Sequence, residues 1–87
     1  MSYIYCTILM FELHQRIILF NENGDAYEVG IANLDNLSEM IVDVCEKYNV
    51  ENVRLSGNKK FATSIAEDIV ATCITKYGNS YIEVEVI

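Results

Sequence analysis

The stretch Val53-Arg54-Leu55-Ser56-Gly57-Asn58-Lys59-Lys60-Phe61 decides how this chain is read. An apolar run ends at Leu55, a tight polar turn follows, and a helical pattern opens near Lys59. Strand, Ser-Gly-Asn turn and helix make the first half of a βαβ unit. The apolar run over residues 81–87 supplies its second strand. A crossover of this kind commits two strands to be parallel, with a helix laid across one sheet face.

Working outward, the helical pattern runs from 59 to 77. Phe61, Ala62, Ile65, Ala66, Ile69, Val70, Cys73, Ile74 and Tyr77 make a wide apolar face, and Gly78 stops the helix. In residues 81–87, Ile82, Val84 and Val86 face inward while Glu83 and Glu85 face outward. Upstream, residues 33–49 form a second amphipathic helix, because Leu34, Leu37, Met40, Ile41, Val44, Cys45 and Tyr48 recur at steps of three and four. Asn33 or Asn36 caps its start, and Asn36 with Glu39 has capping-box spacing. Asn49 suits the left-handed residue at its end.

The first third of the chain reads as strands over residues 3–11, 16–21 and 26–31. The first is apolar on both alternating sets, which predicts a central strand covered above and below or packed at an oligomer interface. Asn21-Glu22-Asn23-Gly24-Asp25 is the strongest turn signal, and Asn-Gly predicts a type I′ hairpin. The element order is then βββαβαβ in one domain, an α+β (α/β-like) class.

That order resembles the minimal ribonuclease H-like fold. The resemblance implies a five-stranded mixed sheet in the order 3-2-1-4-5 with two helices. A ferredoxin-like variant is the alternative, but it needs a helix between its first strands, which residues 13–31 do not offer. Ribonuclease H-like enzymes hold two metal ions on carboxylates of the first strand, the first helix and the fourth strand. Here no acid precedes Glu12 in the first strand, Leu55-Ser56 stands where the fourth strand's acid belongs, and Glu39 alone is suitably placed. The expectation is a version without the nuclease site.

Composition narrows the function further. The chain has 87 residues, 52% of them hydrophobic, with a net charge of −7. A domain this small buries roughly 60–65% of the surface its unfolded chain exposes. No apolar run reaches the ~18 residues that span a bilayer, and a basic leader is absent from the N-terminus, so a soluble cytoplasmic protein is expected. Cys6, Cys45 and Cys73 are odd in number and widely spaced, as reduced packing residues are.

The excess charge is local. Residues 21–51 hold Glu22, Asp25, Glu28, Asp35, Glu39, Asp43, Glu46 and Glu51 against Lys47 alone, and elsewhere the charges cancel. Such a field repels nucleic acid and favours a basic partner. His14 is the only histidine, so neither a zinc site nor a Ser–His or Cys–His pair assembles, and no cofactor or catalytic group is expected.

Three surfaces remain as candidates. Asp35, Glu39, Asp43 and Glu46 stack along one face of the first helix, as a solvated face or a docking surface for a basic protein. Ser56, Gly57, Asn58, Lys59 and Lys60 form a strand-to-helix turn, either an ordinary helix cap or a binding site for a nucleotide or phosphorylated small molecule. The last strand is a free edge, blunted by Glu83 and Glu85 or open to a two-fold dimer. The leading expectation is a small non-enzymatic protein-binding or regulatory protein, of the kind encoded as inhibitors by phage or mobile elements, acting through its acidic face.

Overall fold

A computed structural model describes residues 3–8, 15–21, 23–32, 36–79 and 81–87. Five strands and two helices follow one another as β1 (Tyr3–Ile8), β2 (Gln15–Phe20), β3 (Ala26–Ala32), α1 (Leu37–Tyr48), β4 (Asn52–Gly57), α2 (Lys59–Tyr77) and β5 (Glu83–Val86). Met10, Phe11, His14, Asn33, Leu34 and Asp35 lie outside the described residues.

The described strands lie in one sheet in the order β3-β2-β1-β4-β5. The ribonuclease H resemblance is corrected: what the structure supports is a β-α-β-α-β unit, three parallel strands, β1, β4 and β5, with two helices. β4 pairs with β1 along six registered positions, from Tyr3↔Asn52 to Ile8↔Gly57, and with β5 along four, from Asn52↔Glu83 to Leu55↔Val86. The antiparallel hairpin β2–β3 is well paired within itself and lies beside β1, where Tyr5 registers with Phe20.

Local chemistry explains most element ends. Asn58 caps α2: its side-chain oxygen accepts the Phe61 N–H at 3.1 Å, satisfying one of the first-turn donors. Gly78, at φ 82°, closes α2 in the left-handed region that favours glycine. Asn49 does the same for α1 at φ 56°, donating its N–H toward the Cys45 and Glu46 carbonyls. Asn36 departs from expectation. It occupies the N-cap position of α1, but its side chain makes no capping bond, so the capping box with Glu39 does not form.

The β2–β3 turn also differs from its expected type. Asn21 Oδ1 accepts the N–H groups of Asn23 and Asp25 at 2.9 and 3.0 Å, and the Gly24 N–H donates to the Asn21 carbonyl at 3.1 Å. Gly24 has a positive φ of 86° and Asn23 does not. A type I′ turn needs both, so this is a longer hairpin loop closed by a left-handed glycine.

The core lies between the sheet and the two helices. Ile4 and Cys6 of β1 and Val53 and Leu55 of β4 meet Leu37, Ile41, Val44 and Cys45 of α1 and Ala62, Ile65, Ile69 and Cys73 of α2. Alternation puts those strand residues on one sheet face, so both helices cover the same side. Two faces therefore differ from the sequence reading. The predicted α2 face is too wide: Val70, Ile74 and Tyr77 stay exposed, while the helix packs on α1, β4 and β5 through Ala62, Ile65, Ile69 and Cys73. The predicted α1 face is too narrow, since Ser38 and Val42 are also buried. No helix among the described residues is long and apolar enough to cross a membrane.

Candidate functional site: the open sheet face

With both helices on one side, no helix among the described residues lies over the opposite sheet face. Strand register fixes what it presents. Tyr3, Asn52 and Glu83 form one row, Tyr5, Arg54 and Glu85 the next, and Thr7 with Ser56 a third. Tyr3, Tyr5, Asn52, Arg54 and Ser56 are half-buried, while Thr7, Glu83 and Glu85 are exposed. This corrects the expectation that β1 is covered above and below: its second apolar set faces outward.

Arg54 organises the face. Its guanidinium carbon sits 4.4 Å from the Tyr3 ring centroid and 5.8 Å from that of Tyr5. Nη1 donates to the Tyr5 hydroxyl at 3.3 Å. Nε lies 3.3 Å from Glu85 Oε2, within ion-pair range, but it is shielded from solvent and has no well-aligned hydrogen bond. Partial desolvation pulls the Arg54 pKa down, and the Tyr5, Glu85 and Tyr3 contacts more than reverse it, so the net direction is up. A planar cation stacked on two tyrosines and steered by a carboxylate is a rigid amphipathic patch. Beside it, a recess of about 140 Å³ is lined by Tyr3, Asn52, Val53, Glu83, Val84 and Glu85.

The sequence signal for this face was Arg54 itself, a charge between Val53 and Leu55 in an otherwise apolar run. With β1 half open, Tyr3 and Tyr5 fall beside Arg54 by register alone.

The described acids of the α1 row, Glu39, Asp43 and Glu46, are paired while staying exposed. Lys76 of α2 reaches Asp43 Oδ1 at 2.7 Å and Glu39 Oε1 at 3.3 Å. The hydrogen bond to Asp43 raises the Lys76 pKa against an opposing pull from partial desolvation, and Glu39 adds to the rise. Glu46 accepts the Tyr81 hydroxyl at 2.8 Å. Burial first, then that hydrogen bond, raises the Tyr81 pKa and keeps the phenol a donor. Three of the four predicted docking acids thus stitch α1 to α2 and to the segment before β5, and Asp35 lies outside the described residues.

The Ser56–Lys60 residues are brought together as a turn. Ser56 Oγ lies 3.2 Å from Thr7 Oγ1, Gly57 takes φ 99°, and Asn58 uses its side chain on the cap. Lys59 and Lys60 are exposed at the start of a helix whose first turn holds no acid. Among the described residues, no group of three or more His, Cys, Asp or Glu is placed to hold a metal ion. The chain matches no protein family, no curated protein and no solved structure.

Proposed function

We propose that this is a small non-enzymatic protein-binding domain that works through the open sheet face. The observation that carries this reading is the Tyr3–Tyr5–Arg54 cluster, held on a flat surface that neither helix covers. Tyr and Arg dominate the energetics of protein interfaces, and their side chains bind most strongly when already ordered. Here stacking and the Tyr5 hydrogen bond order Arg54 before any partner arrives. The net charge of −7 favours a basic partner and steers its approach. Three buried free cysteines suit a reducing compartment such as the cytoplasm.

The test is quantitative capture from a lysate of the source cells. Wild type is compared with a Tyr5→Ala/Arg54→Leu variant of unchanged fold by circular dichroism. Proteins held by wild type and lost by the variant support the reading. Equal capture by both, or none by wild type, removes it.

A second reading has a specific observation in its favour. Lys59 and Lys60 oppose the α2 dipole with no first-turn acid to offset them, an arrangement that a phosphorylated small molecule or nucleotide at Ser56–Lys60 would relieve. Thermal-shift screening with phosphorylated metabolites decides it. A shift that Lys59→Ala/Lys60→Ala abolishes supports this reading, and no shift across the panel removes it.

A further inference from the structure

The outer edge of β5 continues the open sheet face, and its backbone is arranged to accept another strand. β5 stands at the end of the row of strands, with β4 on one side and no strand among the described residues on the other. The N–H of Glu83 donates to the Glu51 carbonyl and that of Ile87 to the Leu55 carbonyl, each at 2.8 Å. Backbone groups alternate along a parallel strand, so the N–H and C=O of Val84 and Val86 point to the free edge. These are the groups through which a strand adds to a sheet.

Side-chain charge selects what can add. Glu83 and Glu85 project on the open face, and Glu83 has no ion-pair partner among the described residues. A second copy of β5 is a poor occupant. Any antiparallel register that keeps valines on the helix side sets glutamates against glutamates, and like charges directly opposite destabilise a pair. The other registers put valine on the open face and glutamate over the core. A basic segment reverses the sign. Its Lys or Arg side chains, two residues apart, lie opposite Glu83 and Glu85, and the recess between Tyr3, Asn52 and Glu83 offers one cation a carboxylate and an aromatic wall. Its intervening residues fall on the helix side, where α2, packed on β5, exposes Val70, Ile74 and Tyr77.

We infer that the β5 edge binds an extended segment of a partner protein in which basic residues alternate with apolar ones, adding it to the sheet as a further strand. The inference rests on the protein-binding reading above and names the partner's chemistry and mode of attachment.

The probe is a synthetic peptide of three Lys-Val repeats, compared with a block peptide of the same composition (three Lys, then three Val) and with three Glu-Val repeats. Binding is followed by amide NMR and hydrogen exchange on the whole chain. The alternating basic peptide is expected to bind with a Kd on the order of 10–100 μM, shifting and protecting the Val84 and Val86 amides. Glu83→Lys is expected to weaken it by about tenfold or more, and the Glu-Val peptide to bind that variant in its place. Val84→Pro removes an edge-facing N–H while leaving the ladder to β4 intact, and is expected to abolish peptide binding.

No protection at Val84 and Val86, or equal binding of the block peptide, overturns strand addition. So does a β5-mediated dimer in light scattering that Val84→Pro dissolves. If the Lys-Val peptide fails while lysate capture still depends on Tyr5 and Arg54, strand addition falls and the sheet-face reading stands. Peptide binding together with indifference to Tyr5 and Arg54 has the opposite meaning.

Discussion

The guanidinium carbon of Arg54 lies 4.4 Å from the centroid of the Tyr3 ring, one strand away on the helix-free side of the sheet. The stack depends on planarity, and the hydrogen bond to Tyr5 depends on a guanidinium nitrogen. Lysine keeps the charge but supplies neither the plane nor the fork. Arg54→Lys is therefore expected to lose partner capture by about tenfold, nearly as much as Arg54→Leu. Circular dichroism should show the fold of both unchanged. Full capture by Arg54→Lys would mean that charge alone matters.

The core makes a separate prediction. Leu55 and Ile69 are fully buried where β4 and α2 meet. Leu55→Ala or Ile69→Ala is expected to cost about 2–5 kcal/mol in urea denaturation. Against the roughly 5–10 kcal/mol total of a small domain, either change leaves a marginal fold. Val70→Ala, on the exposed outer flank of α2, should cost well under half as much. Equal losses would put Val70 in the core.

The cap of α2 makes its own prediction. Asn58→Ala removes the bond to the Phe61 N–H and is expected to cost about 1 kcal/mol. An unchanged midpoint in thermal unfolding would contradict the cap geometry.

Alkali should destabilise the protein. Burial pushes the Cys6 thiol up to about 11, and burial with the neighbouring Cys73 pushes the Cys45 thiol up to about 12, from the usual 9.0. Both groups hold a proton more tightly folded than unfolded, so above pH 9 the folded state binds more protons. Their contribution is complete below about pH 9 and is lost as pH rises toward 11 to 12. Tyr81 and Lys76 shift in the same direction. The Tm is expected to stay level from neutral pH to about 9 and then fall, with Cys45→Ala falling less steeply. A Tm that rises between pH 9 and 11 would reverse the sign.

How much of this was legible follows from which forces are local. Helix α2 was readable to its ends, because Asn58 and Gly78 are caps that act within one turn. The parallel pair β4–β5 was readable from the apolar run, polar turn and helix that join them. The exposure of the second face of β1 was not, because the pattern of Tyr3, Tyr5 and Thr7 permits a covered or an open face alike. The acidic row was visible as a row. Its engagement by Lys76, 33 residues from Asp43, was not visible, since helix periodicity places a charge on a face without saying which helix stands opposite.

The most direct test of the account is which surface a bound protein covers. Captured partner should be measured side by side for wild type, for Tyr5→Ala/Arg54→Leu, and for Glu39→Lys/Asp43→Lys. The open sheet face predicts that the first double variant loses the partner and the second retains it. Retention by Tyr5→Ala/Arg54→Leu with loss by Glu39→Lys/Asp43→Lys would place binding on the α1 acids and contradict the account.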